Sequence, residues 1–86
     1  MTQRAAAASD RIDATLDAEI RRAAARLEEA GIAAPEADAV ALAAYVLGVE
    51  PGEVRRRAIL REPVPADLSL RLGDLVGERA RRIPLQ

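Results

Sequence analysis

The stretch Pro35-Glu36-Ala37-Asp38-Ala39-Val40-Ala41-Leu42-Ala43-Ala44-Tyr45-Val46-Leu47-Gly48 decides the fold. Proline suits the first position of a helix, where its missing N–H is not needed. Glu36 and Asp38 then fall in the first turn, where the helix dipole favours negative charge. From Ala39 to Leu47 no side chain is charged or strongly polar. A helix apolar all round is a buried one. This segment is therefore expected to be the central helix, ended by Gly48, with Tyr45 in the core or at its edge.

The spacing on either side also reads as helix. Upstream, Ile12, Leu16, Ile20, Ala23, Leu27 and Ala30 recur at steps of three and four. Ser9 or Asp10 can cap the start, Gly31 suits the turn just past the end, and Asp17 and Arg21 form an i,i+4 pair on the wet side. Downstream, Pro51 opens a short helix carrying Val54, Ala58 and Leu60, and Pro63 and Pro65 punctuate a loop. A last helix is predicted from 65–67 to 82, with Leu68, Leu72, Leu75, Val76, Ala80 and Ile83 as its apolar stripe. Gly73 and Gly77 lie one above the other on it, and each costs ~1 kcal/mol relative to alanine. Either they admit a closely packed neighbouring helix or this helix is locally weak. No segment alternates with a period of two. The expectation is an all-α fold, a small bundle of four to five helices over residues 10–82, behind a flexible N-terminal segment, residues 1–9. Short loops force sequential neighbours to be roughly antiparallel.

Composition removes most chemistry. The chain has no cysteine and no histidine, which excludes zinc fingers, disulfide frameworks, thiol nucleophiles and imidazole bases together. It has no glycine-rich phosphate loop, no EF-hand spacing and no serine nucleophile motif. No catalytic, cofactor-binding or metal-binding residue is therefore expected. A net charge of -1 does not favour nucleic acid. In a helix-turn-helix reading, the helix after Gly31 would open on Glu36 and Asp38, which repel phosphates. No run approaches the ~20 apolar residues of a membrane helix, and Ala5–Ala8 is too short for a signal-peptide core. A cytoplasmic protein without membrane contact or direct nucleic-acid contact is the default expectation.

The densest positive cluster is Arg55-Arg56-Arg57 followed by Arg61, the candidate partner-binding residues. They can grip an acidic or phosphorylated partner. The competing reading is a solvated surface, because three successive helical residues fan over roughly 200°, and Glu50, Glu53 and Glu62 flank them. Arg79, Arg81 and Arg82 fall in a last helical turn, where cations complement the dipole. Glu28-Glu29 and Glu36/Asp38 are the close carboxylates, and their places at helix ends explain them without acid–base catalysis.

Three segments carry a resemblance. They are Leu16–Ala30 with Gly31-Ile32, then Pro35–Ala39 with Leu42 and Val46-Leu47-Gly48, then Arg79 to Gln86 with its terminal Pro84-Leu85-Gln86. In this order and spacing the chain, from about Leu16 to Gln86, resembles the N-terminal domain of the HemK/PrmC family, the release factor glutamine methyltransferases. It departs from the family pattern at Val40, Ala43, Gly73 and Gly77. The resemblance implies a helical domain ahead of a Rossmann-like domain that uses S-adenosylmethionine. Such enzymes methylate the side-chain amide of the glutamine in the Gly-Gly-Gln motif of class-1 peptide chain release factors. The donor site and the Asn-Pro-Pro-Tyr motif belong to the C-terminal domain, so no catalytic or cofactor residue carries over to this chain. The implied role is substrate recognition, with the release factor and the protein's own methyltransferase domain as partners. On this reading Ile83-Pro84-Leu85-Gln86, residues 83–86, begin a linker to the catalytic domain, and the 86 residues alone are inactive. The alternative is a freestanding helical protein–protein interaction module, homodimeric through the Gly73/Gly77 face.

Overall fold

The computed structural model describes residues 14–81, which form four helices: α1 (Leu16–Glu29), α2 (Pro35–Leu47), α3 (Pro51–Ile59) and α4 (Ala66–Arg81). The fold is the expected all-α bundle. The expected caps at Ser9 or Asp10, the contributions of Ile12 and Ile83, the segment 1–9 and the linker 83–86 lie outside the described residues.

The helix ends follow from local chemistry. Pro35 and Pro51 stand in the first turns of α2 and α3. α1 ends in a Schellman motif: Ile32 N–H donates to the Leu27 carbonyl at 3.1 Å, Gly31 N–H donates to Glu28 at 3.0 Å, and Gly31 has φ 90°. α2 repeats it, with Val49 donating to Ala44 at 3.1 Å and Gly48 at φ 72°. α3 repeats it a third time, with Glu62 donating to Arg57 at 3.1 Å and Arg61 to Ala58 at 2.9 Å. There the left-handed position is held by Arg61 at φ 55°, not by glycine. That conformation costs a residue with a Cβ roughly 1–2 kcal/mol.

A short backbone clasp orders the helices. Leu16 N–H donates to the Glu62 carbonyl at 2.8 Å, and Val64 N–H donates to the Ala14 carbonyl at 2.9 Å. Thr15 and Pro63 face each other as an isolated antiparallel bridge. They form the pair that exchanges no hydrogen bond of its own, so the N–H that proline lacks is not required. α1 and α4 both leave this clasp and run in the same direction. Ser69 on α4 donates to Glu19 on α1 at 2.9 Å, and Gly73 on α4 receives Arg26 from α1. α2 runs against both, touches all three other helices and brings Asp38 to Arg79 near the far end of α4.

The core is aliphatic and small. Leu16, Leu27, Val54, Leu72 and Val76 are its largest fully buried side chains, and Ala23, Ala24, Ala39, Ala43 and Ala44 fill the rest with Val40 and Val46. Among the described residues no polar or charged side chain is buried.

Several expectations are corrected. The helical pattern does not run unbroken from Ile12, because Thr15 is extended (φ -104°, ψ 159°) to make the clasp. α2 is not buried all round: Ala37, Ala41 and Tyr45 share a solvent-facing side, and Tyr45 is 73% exposed. Alanine tolerates either environment, so its presence did not mark the face. Leu60 is exposed beyond the end of α3. The Gly73/Gly77 face admits a guanidinium, not a helix backbone. A Cβ on either residue would meet Arg26 Nη atoms, at 3.8 and 3.2 Å.

These glycines separate into two kinds. Gly48→Ala places a Cβ at positive φ and is expected to lower unfolding free energy by about 1 kcal/mol. Gly77→Ala is expected to raise it by up to about 1 kcal/mol through helix propensity, since only the mobile tip of Arg26 must move. Urea denaturation of both variants checks the opposite signs.

Candidate functional site

The four candidate arginines are split by the turn of α3 and by its end. Glu53 takes two of them. Arg56 donates from Nε to Oε1 at 3.0 Å and from Nη2 to Oε2 at 2.7 Å, and Arg57 donates from Nε to Oε2 at 2.8 Å. Hydrogen bonds from Arg56 and then Arg57 pull the Glu53 carboxyl down to about 2, and Glu53 in turn raises the Arg56 guanidinium above its ordinary value. Arg56 and Arg57 are therefore both held by one carboxylate within α3, which offsets one of their two charges.

Arg55 faces elsewhere. It lines a surface groove of about 380 Å³ between α1, α2 and α3. Ile20, Ala24, Val40, Ala58 and Ile59 supply the apolar lining, and Asp17, Arg21 and Glu36 add charge. Ile59 is 80% exposed, and Leu60 next to it is exposed as well. Arg61 approaches the same region, with its Nε 4.0 Å from Asp17 Oδ2.

Asp17 is the organising group here. The Thr15 hydroxyl donates to its Oδ1 at 2.7 Å, and Arg21 Nη1 donates to Oδ2 at 3.0 Å. These bonds, Thr15 first, hold the Asp17 carboxyl below its ordinary range. The i,i+4 pair was legible in the sequence. The arrival of Arg61 was not, because that contact depends on tertiary structure. The same is true of Arg79, whose place in the last turns suggested only a dipole effect. It donates from Nη2 and Nε to Asp38 Oδ2 at 3.0 and 3.2 Å, joining α4 to α2.

Chemically, this arrangement combines an apolar surface with charged groups of both signs, Asp17, Glu36, Arg21 and Arg55. Among the described residues no cluster of three or more potential metal ligands exists, and no helix is long and apolar enough to cross a membrane. The apolar groove with Arg55 at its side fits a partner surface that presents an aliphatic group beside an acid.

Comparison with known proteins gives this geometry a context. The family described as PrmC N-terminal domain matches residues 18–86. The release factor glutamine methyltransferase of Corynebacterium glutamicum is 43% identical over 72 residues, covering 84% of this chain and 24% of that protein. That of Streptomyces coelicolor is 41% identical over 70 residues, 80% of this chain and 22% of the relative. That of Mycolicibacterium smegmatis is 45% identical over 67 residues, 78% of this chain and 22% of the relative. The chain thus spans about a quarter of the length of the curated relatives it matches. No solved structure matches it.

The Glu53 cluster gives a pH signature. Its folded value lies below the ordinary 4.5, so its stabilising contribution is fully present above about 4.5 and is lost as pH falls toward 2. Carboxyl-carbon NMR titration is expected to place the Glu53 midpoint near 2. In Arg56→Ala the midpoint should move up toward the ordinary value.

Proposed function

This chain belongs to the PrmC N-terminal domain family, and from that premise we propose that it is the substrate-recognition domain of a protein-(glutamine-N5) methyltransferase. In this reading it engages a class-1 peptide chain release factor and orients it so that the glutamine of the Gly-Gly-Gln motif reaches the protein's own methyltransferase domain. The observation that carries the reading is the 43% identity over 84% of the chain to a release factor glutamine methyltransferase. The groove supports it physically, as an apolar trough with Arg21 and Arg55 as well as Asp17 and Glu36 along its sides.

In this reading the domain's role is to bind the partner. S-adenosylmethionine would supply the methyl group in the whole protein, but the described residues do not fit that donor. No buried polar side chain is available to hold an adenosine or a sulfonium, and the grooves are open surface features. In this reading donor binding and methyl transfer fall to a methyltransferase domain of the whole protein, and the protein works in the cytoplasm beside its partner.

In the groove, Ile20, Val40 and Ile59 would cover an aliphatic side chain of the release factor, and Arg55 would answer an adjacent acid. Arg61 would contribute long-range attraction, whereas Arg56 and Arg57 are engaged by Glu53. Removing an apolar contact and reversing a charge at the centre of an interface weakens binding by well over tenfold, or about 1.4 kcal/mol at the least.

The test uses the full-length protein. Arg55→Glu combined with Ile59→Asp is expected to raise KM for the release factor about tenfold or more while leaving kcat and the helical circular dichroism signal unchanged. Unchanged KM would remove the groove from the interface. Failure of the unaltered full-length protein to methylate release factor would remove the substrate assignment itself.

A further inference from the structure

A second cationic feature lies on the other side of α1. Arg26 reaches from α1 across α4, donating from Nη1 to the Gly73 carbonyl at 3.3 Å. A Cβ on Gly77 would stand 3.2 Å from Arg26 Nη2 and 3.6 Å from Arg81 Nη1. Two guanidinium groups from different helices therefore converge over one spot of α4 where the helix carries no side chain. Arg22, Arg57 and Arg79 each lie within 3.0 Å of a carboxylate oxygen. By contrast, Arg26 and Arg81 have no ion-pair partner among the described residues. Asp74 and Glu78 line the same cleft without coming into ion-pair range of either.

We propose that this cleft, about 340 Å³ in volume, is a binding site for a single carboxylate, the aspartate or glutamate side chain of an acidic protein segment. Two guanidinium groups that reach toward one spot repel one another, and an oxyanion between them turns that repulsion into paired, charge-assisted hydrogen bonds. The glycines make the site possible, because a side chain at position 77 would occupy the space where the guanidinium groups meet. The rim selects the kind of anion. Asp74 and Glu78 place negative charge beside the cleft, which a lone carboxylate can avoid but a nucleic-acid backbone, with a phosphate at every nucleotide, cannot. The site is separate from the Arg55–Ile59 groove and does not depend on the identity of the partner proposed for that groove.

The test is an NMR titration of the 86-residue chain that observes the arginine Nε–Hε groups. The probes are a (Glu-Gly) repeat peptide, the matching (Gln-Gly) peptide and oligouridine. The glutamate peptide is expected to shift Arg26 and Arg81 saturably in the millimolar range, and the glutamine peptide is expected to leave them in place. Arg26→Gln and Arg81→Gln should each weaken binding about tenfold, equivalent to the loss of a hydrogen bond to a charged group. Gly77→Ala should weaken it while raising the thermal midpoint, which separates loss of the site from loss of the fold. No shift at Arg26 and Arg81, equal affinity in all three variants, or oligouridine binding at these two arginines as tightly as the glutamate peptide would each overturn the proposal.

Discussion

The backbone clasp between Ala14–Leu16 and Glu62–Val64 is the constraint on which the other contacts depend. Two hydrogen bonds, at 2.8 and 2.9 Å, bring together segments nearly fifty residues apart. Each is worth only about 0.5–1.5 kcal/mol net, but their geometric effect is large. They start α1 and α4 from one point and in one direction, so two helices distant in sequence become parallel neighbours. α2 must then return between them, and α3 closes the remaining side. Leu16, fully buried, sits at the junction where the clasp becomes helix, so the same residue anchors both the backbone pairing and the core.

What was legible in the sequence is what is local. Pro35 and Pro51 mark helix starts because proline restricts φ and lacks a donor, and Gly31 and Gly48 mark ends because the left-handed turn favours a residue without a Cβ. The third ending was hidden, since Arg61 takes the same conformation with nothing in its side chain to announce it. The clasp was hidden as well, because one bridged pair leaves no alternating pattern. The solvent-facing side of α2 was hidden because Ala37 and Ala41 give no polarity signal.

For the candidate sites the boundary falls in the same place. The Arg55–Arg57 run was visible as a cluster, but only the fold shows that Glu53 engages two of its members and leaves Arg55 on an apolar groove. The Gly73/Gly77 pair was visible as an anomaly of α4. Its explanation needed Arg26, forty-seven residues from Gly73, laid across it. In both places a sequence feature marked the position correctly, while the partner that gives it meaning came from another turn or another helix.

The placement of Tyr45 has a spectroscopic consequence. It is the chain's single aromatic residue, and it stands largely in water. The core, built of leucine, valine and alanine, contains no chromophore. Unfolding therefore moves the ring from one aqueous setting to another, and intrinsic fluorescence and near-ultraviolet absorption are nearly blind to the folding transition. A surface that approaches the outer side of α2 would instead desolvate the only ring present. In this molecule the usual optical reporter of a core is a reporter of company.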